Sequence, residues 1–181
     1  MRQTLFSFIY FRLLGWKEEV TETFHDKCIL CAAPHTSNWD LFFGKLWWGA
    51  KGRKACFMMK KDWFFFPLGL FFRSIGGIPV DRSRKTSLVS QMTERFNRAE
   101  KLNLAITPEG TRKANPNWKK GFYYIALNAG IPIQLIAIDY ERKLISYTRC
   151  ITPTGDFDRD IAEIKSYYKG FKGKHPENFA Y

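Results

Sequence analysis

A histidine and an aspartate that could work as a pair stand in residues 34–40, PHTSNWD. A histidine with one ring nitrogen on a carboxylate has a fixed tautomer and a more basic second nitrogen, as a general base requires. Within one helix His35 and Asp40 would point about 140° apart, but across a strand-to-helix turn they can meet. The spacing therefore allows a catalytic pair. A histidine bound to loop carbonyls and an aspartate at a helix N-terminus would leave the same pattern.

Two further polar segments lie at expected strand ends. Residues 73–82 place two glycines before a short strand that ends in Asp81-Arg82, and an arginine there offers a planar fork to phosphate. Residues 108–112, PEGTR, follow another strand and supply backbone and hydroxyl donors, a fixed positive charge, and Glu109, which could pair with an arginine. The alternatives are a surface ion pair after a tight turn and an ordinary polar turn. Basic residues at 113, 119 and 120 suit an anion-binding rim.

Strand-like and helix-like patterns alternate around these segments. Short apolar runs predict strands at 27–33, 54–59, 78–80, 102–107, 131–138 and 143–151. Helices are predicted at 2–15, 41–50, 86–101, 122–129 and 156–170, with a helix broken at Pro67 within 63–72. Ser37 is expected to cap the helix that follows it, and the chain from Gly173 is expected to be frayed. The alternation favours an α/β fold with a largely parallel mixed sheet flanked by helices.

The composition points to an anionic partner. The chain has 181 residues, a formal net charge of +12 and 17% aromatic residues. A small basic protein rich in Phe and Trp favours phosphate, nucleic acid, anionic lipid or an acidic carrier protein, and the charge excludes an acidic solubilising domain. Four cysteines are too few for a disulfide framework. Cys28 and Cys31 stand in an apolar run, so we expect buried strand residues and no metal site.

Two aromatic runs could contact a membrane surface. Residues 4–16 and 63–72 are too short to span a bilayer, yet both could lie in its interface; burial in the core is the alternative. We expect residues 1–16 to form an amphipathic membrane-surface helix, residues 17–172 the main domain, and residues 173–181 a polar tail.

Taken in order, the motifs resemble a known family. His35-x4-Asp40, residues 77–82 (GIPVDR) and residues 108–112 (PEGTR) are similar to the motifs of the glycerolipid acyltransferases, whose best-known members are 1-acyl-sn-glycerol-3-phosphate acyltransferases. The apolar block 130–137 and the stretches 59–63 and 118–122 also fit, so the resemblance covers residues 28–138. Family members often have Asn at the position of Pro34 and Phe at that of Thr107. The acceptor is therefore left open.

The resemblance implies roles for particular residues. His35 would be the general base and Asp40 its orienting partner. The acceptor site would be formed by Arg82, Glu109, Gly110, Thr111 and Arg112, with the arginines facing the phosphate and Lys60 adding to the phosphate pocket. The implied reaction moves an acyl chain from acyl-CoA or acyl-carrier protein to a lysophospholipid hydroxyl, with 1-acyl-sn-glycerol 3-phosphate giving phosphatidic acid. It needs no cofactor and no metal.

The surroundings of the enzyme follow from its substrates. The expected partners are an anionic membrane surface, a lysophospholipid and an acyl thioester donor such as acyl carrier protein, with no nucleic acid. The expected location is peripheral, at the cytoplasmic face of the bacterial inner membrane. Three alternatives stay open: an acyltransferase for another lysolipid, such as an amino-acid-containing lipid; a non-enzymatic basic lipid-binding domain; and a thioesterase that uses His35 and water.

Overall fold

The structure is a computed structural model that describes residues 2–81 and 87–181. At the centre of this part of the chain lies a seven-stranded sheet. Its strands are β1 Lys17–Val20, β2 Lys27–Ala33, β3 Ala55–Lys60, β4 Gly77–Val80, β5 Leu102–Ile106, β6 Ile133–Asp139 and β7 Leu144–Ile151. They lie in the order β1-β7-β6-β2-β5-β3-β4. All neighbouring strands are parallel except β6 and β7. The predicted α/β fold with a largely parallel mixed sheet is confirmed.

Helices cover both faces of this sheet. They are α1 Arg2–Ser7, α2 Trp39–Ala50, α3 Leu68–Ser74, α4 Leu88–Arg98, α5 Gly121–Ala129 and α6 Phe157–Tyr167. The observed bounds differ from the predicted ones by a few residues, and α3 begins directly after Pro67, where the break was expected. Gly130 ends α5 in a left-handed conformation at φ 61°, which a residue without a side chain adopts at little cost.

The central strand β2 is apolar at nearly every position because it is buried on both sides. Side chains alternate across a strand, and β2 is covered on both faces. Ile29 and Cys31 pack with the layer of α4, α5 and α6, whereas Cys28 and Leu30 pack with the layer of α1 and α2. Both cysteines are buried and free, so their expected role as small core residues is confirmed.

Strand order determines which loops meet. Because β2 pairs in parallel with β5 on one side and β6 on the other, the residues that follow these strands share one edge of the sheet. This carboxyl edge therefore collects residues 34–40, 107–112 and the end of β6. In open α/β sheets this is the edge where ligands bind.

The N-terminal segment is built into the domain. After α1 comes a π-helical stretch, Phe8–Leu13, and both run along α2. Tyr10 and Trp16 are buried in the same core cluster as Trp47, and the Ser7 hydroxyl donates to the carbonyl of Ala50 at 3.4 Å. Residues 2–16 thus supply part of the wall around the sheet.

Two features differ from the sequence-based prediction. Strand β1, sequence KEEV, was not predicted because it is a polar edge strand with half-exposed residues, and its place beside β7 follows from tertiary pairing alone. The prediction of a frayed tail is wrong. The His175 backbone N–H donates to Thr36 Oγ1 at 3.1 Å, and the Trp118 indole N–H donates to the Ala180 carbonyl at 3.1 Å, which fastens the tail to the domain.

Candidate active site

His35 and Asp40 meet at the carboxyl edge of the sheet. His35 Nδ1 lies 3.0 Å from Asp40 Oδ2, and the Asp40 side chain is 5% exposed. The same oxygen accepts the backbone N–H groups of Thr36 and Ser37, each at 2.9 Å. With Nδ1 bound to the carboxylate, the second ring nitrogen, Nε2, carries the lone pair that a general base needs.

The start of α2 differs in detail from the expected cap. The helix is preceded by Asn38, and the Ser37 hydroxyl accepts the N–H of Trp39 at 3.3 Å and does not cap the third helical residue. Instead of the Ser37 hydroxyl, the carboxylate of Asp40 in the first helical turn accepts the loop N–H groups of Thr36 and Ser37. One side chain thereby both begins the helix and orients His35.

Tyr140, which sequence reasoning missed, completes the surroundings of the aspartate. Its hydroxyl donates to Asp40 Oδ1 at 2.6 Å, and its ring lies edge-on to Phe43 at a centroid distance of 5.7 Å. Tyr140 follows β6 and stands 100 residues from Asp40 in the chain. No local pattern signals this contact, because it depends on β6 lying next to β2.

Glu109 occupies a buried position behind the histidine. It is 2% exposed, and its Oε1 accepts the backbone N–H of His35 at 2.8 Å. Its Oε2 is buried and has no hydrogen-bond partner among residues 2–81 and 87–181. Burial raises the pKa of Glu109 to about 7, even though the His35 N–H favours the charged form.

The pairing of Glu109 with an arginine stays a prediction: within residues 2–81 and 87–181 its carboxylate contacts the backbone of His35, and Arg82 lies outside these ranges. Because β5 lies beside β2, the residue that follows β5 by three positions comes to rest under the His35 loop and not at the surface. Its carboxylate therefore holds the backbone of the histidine.

The Arg112 side chain contacts the loop that carries His35. Its guanidinium is exposed and donates to the side-chain oxygen of Asn38. Gly110 turns the chain at φ 66°, with its N–H on the Thr107 carbonyl at 3.2 Å, and Thr111 accepts the N–H of a neighbouring residue at 3.3 Å. The structure thus brings Gly110 and Arg112 beside the His35 loop, and Thr111 lies between them in the chain.

Two other phosphate contacts were predicted, Arg82 and Lys60. Arg82 lies outside the described residues. Lys60 ends β3, pairs with Asp62 at 2.5 Å and does not line the cavity described next. Lys60 lies apart from His35 because β5 separates β3 from β2, so the end of β3 is one strand farther away.

An apolar cavity of about 860 Å³ adjoins the histidine. His35, Gly110 and Lys119 line it at the carboxyl edge. Leu88, Val89, Phe122 and Ile125 line its part on the side of α4 and α5. Between α2 and the sheet it is lined by Leu30, Ala32, Leu41, Gly44, Trp48, Ala105 and Ile136. Small residues at three of these positions leave the space open. Its size falls within the range of pockets that enclose small-molecule ligands.

Two lysines line this cavity. Lys119 stands beside Gly110, where an added Cβ would come within 3.0 Å of the lysine side chain. Lys45 donates to the carbonyl of Ile75 and lies 4.9 Å from the ring centroid of Phe57. Burial lowers the pKa of Lys45.

Within residues 2–81 and 87–181, no group of three or more metal-ligating side chains could hold an ion. No helix in those ranges has the length and apolar character to cross a bilayer.

Known proteins resemble this chain in sequence pattern and in fold. A family model described as Acyltransferase matches residues 17–139, which is more than half of the chain. A crystal structure of the 1-acyl-sn-glycerophosphate (LPA) acyltransferase PlsC from Thermotoga maritima is similar in fold, with a TM-score of 0.60 and 16% identity over 92% of this chain and 76% of that one. No curated protein sequence matches. The resemblance seen in the sequence is confirmed, and this chain belongs to the acyltransferase family.

Proposed function

We propose that this acyltransferase moves an acyl chain from an acyl thioester to the free hydroxyl of a lysophospholipid, with 1-acyl-sn-glycerol 3-phosphate as acceptor and phosphatidic acid as product. One observation carries the proposal: a histidine oriented by a buried aspartate lines a large apolar cavity next to Arg112 and Lys119. A base, a place for an acyl chain and cations for a phosphate are the three parts that this reaction needs.

The transfer follows from the position of His35. Its Nε2 removes the proton from the acceptor hydroxyl as that oxygen attacks the thioester carbonyl carbon. The tetrahedral intermediate then collapses, the carbon–sulfur bond breaks, and the thiolate leaves with the proton returned from His35. Such a base contributes roughly 10²–10⁴-fold, and alignment of the two substrates supplies much of the remaining acceleration. The acceptor is itself the nucleophile, so no acyl-enzyme forms.

The cavity fits the apolar part of the substrates. Each methylene that leaves water for an apolar site stabilises the complex by about 0.8 kcal/mol. A long acyl chain can therefore be held between α2 and the sheet while its carbonyl stays at the carboxyl edge near His35. The similarity in fold to PlsC, whose name specifies lysophosphatidate, supports this class of acceptor.

The charge of the site fits an anionic acceptor. Arg112 offers a planar fork that suits a phosphate, and Lys119 adds an ammonium beside Gly110. The formal net charge of +12 suits an anionic membrane surface and an acidic acyl carrier protein as donor, with acyl-CoA as the other candidate. The protein would then act as a peripheral enzyme at the cytoplasmic face of the bacterial inner membrane, without a cofactor or a metal.

The base is tested by exchanging one histidine at a time. His35→Ala should lose about 10²-fold or more of kcat with lysophosphatidate and acyl-CoA. His25→Ala is the matched control: His25 precedes β2 and so lies at the opposite edge of the sheet, where it should leave transfer unchanged. A folded His35→Ala protein that transfers acyl groups at the wild-type rate would refute the proposal. Thiol release without any acceptor would instead indicate a thioesterase.

The head group is tested with Arg112→Gln. This change should raise the KM for lysophosphatidate and leave the KM for monoacylglycerol, which has no phosphate, unchanged. Arg149→Gln is a suitable control, because Arg149 is an exposed arginine on β7 paired with Glu163. An equal rise for both acceptors would exclude a phosphate contact. A panel with lysophosphatidylethanolamine and an amino-acid-containing lysolipid, read by mass spectrometry, then identifies the acceptor.

A further inference from the structure

A concentrated apolar surface has no role in the proposed chemistry. We call residues 63–72 the Phe-rich segment; it joins the end of β3 to α3 and runs through most of that helix. Six of its side chains are exposed large hydrophobics: Trp63, Phe65, Phe66, Leu68, Leu70 and Phe71. The most exposed of the six is Phe66, at 82%. Exposed apolar groups scattered singly are ordinary, but a contiguous set on this scale marks an interaction surface.

The segment is folded, and its exposed rings are the outer layer of a packed unit. The rings of Phe64 and Phe72 lie 6.0 Å apart, and the Arg73 guanidinium lies 5.4 Å from the Phe64 ring centroid. Gly69 is buried, with space for no side chain: an added Cβ would come within 2.7 Å of the Phe64 carbonyl oxygen. The inner contacts hold the shape, and the outer rings point away from the domain.

The N-terminal segment, the anchor expected from the sequence, uses more of its apolar surface internally. Tyr10 is fully buried, and Phe6 packs so closely on α2 that an added Cβ at Gly49 would meet it at 2.5 Å. Leu5, Phe8 and Leu13 stay exposed. The contact of Ser7 with Ala50 places α1 at the far end of α2, away from the carboxyl edge, whereas the Phe-rich segment begins at that edge.

The charges around the Phe-rich segment favour an anionic surface as its binding partner. The exposed cations Lys60, Lys61 and Arg73 flank the segment, and two carboxylates, Asp62 and Asp81, pair with the lysines. The local balance is positive, as is the net charge of +12 for the whole chain. Aromatic rings bordered by basic side chains are typical of elements that lie in the interface of an anionic bilayer.

The residue that follows α3, just beyond the Phe-rich segment, borders the wall of the cavity. Lys45, which lines the cavity, donates to the carbonyl of Ile75, the residue directly after α3. We propose that the Phe-rich segment inserts into an anionic bilayer and holds the carboxyl edge of the sheet, with His35, against the lipid surface. The inference deepens the proposed function, since it names the element through which the membrane is engaged.

The test compares two pairs of surface substitutions of the same kind. Phe66→Ser with Phe71→Ser removes two rings from the Phe-rich segment. Leu5→Ser with Phe8→Ser is the matched control in the N-terminal segment, because Phe71 and Phe8 are 57% and 58% exposed. Binding is measured by sedimentation with vesicles of equal parts phosphatidylglycerol and phosphatidylcholine, without substrate.

The first pair should raise the lipid concentration for half-maximal binding by about tenfold or more, because each ring loses its burial in the bilayer. The control pair should bind like the wild type. Equal losses in both pairs, a loss in the control pair alone, or no loss in either overturns the inference. Circular dichroism checks folding, and Phe66→Ser alone serves if the double variant unfolds.

Two further outcomes separate this inference from its alternatives. If the wild-type protein transfers acyl groups but does not bind the vesicles, the inference is overturned and the proposed function stands. If it binds through the Phe-rich segment but transfers no acyl group, the proposed function is overturned and the inference stands. Sedimentation velocity without lipid tests a second copy of the chain as the occupant. Self-association that is lost in Phe66→Ser, with no vesicle binding by wild type, would assign the segment to a protein contact.

Discussion

The buried carboxyl of Glu109 should make the stability of this protein depend on pH in a way that one isosteric change removes. Glu109 is 2% exposed and its Oε2 has no hydrogen-bond partner in the described part of the chain, so ionisation is disfavoured in the folded state. Burial raises its pKa from an ordinary value of 4.5 to about 7. At about 1.4 kcal/mol for each pH unit, the difference corresponds to about 3 kcal/mol.

The direction of this pH dependence follows from the binding of a proton to Glu109 in the folded and unfolded states. Between pH 4.5 and 7 the folded protein holds a proton on Glu109 that the unfolded chain has released. The free energy of unfolding therefore has its full contribution from this group below pH 4.5 and loses it as the pH rises through 7. His35 and Asp40 also face this carboxyl and act in opposite directions on it.

Glu109→Gln keeps an oxygen for the His35 N–H and cannot ionise. The buried amide resembles the protonated carboxyl, so the variant should match the wild type near pH 4.5 and exceed it by about 3 kcal/mol at pH 8. Urea unfolding followed by tryptophan fluorescence from pH 4.5 to 8 measures the difference, provided that the m-value is unchanged. A difference between variant and wild type that stays constant across this range would refute the reasoning.

Three other predictions concern the groups around His35. Tyr140→Phe removes the 2.6 Å hydrogen bond to Asp40 and should lower the free energy of unfolding by about 1–3 kcal/mol, as measured by urea unfolding; an unchanged free energy of unfolding would contradict it. Asp40→Asn keeps an acceptor but removes the charge, so kcat should fall by about 10²-fold or more with little change in KM. Gly173→Ala would place a Cβ 2.6 Å from Thr36 Oγ1, and should lower the midpoint of thermal unfolding and kcat together by displacing the loop.

The sequence was most informative where a local pattern has a local cause. Strand β2 was predicted at its observed bounds, because a continuous apolar run between polar residues is typical of a central strand in an α/β chain. Pro67 marked the start of α3, and Gly130 marked the end of α5. The meeting of His35 with Asp40 was within reach for the same reason, since both belong to one strand-to-helix turn.

Contacts between segments that are far apart in the chain could not be predicted from local sequence patterns. The sequence did not indicate that Glu109 is buried under the His35 loop, and it missed Tyr140 altogether. Their partners stand 74 and 100 residues away, at His35 and Asp40 respectively. Both omissions share one origin: the fate of a polar side chain at a strand end depends on which strands lie next to its own.

The amino-acid order by itself determined the α/β alternation, the positions of most strands, and the segments that carry the histidine, the aspartate and the PEGTR turn. Only the tertiary structure decided that β2 lies between β5 and β6, that Glu109 is buried behind the histidine, and that small residues on α2 and the sheet leave a cavity beside it. The physical reason is that strand neighbours are selected by the packing of two complete layers of helices. No stretch of a few residues encodes that packing.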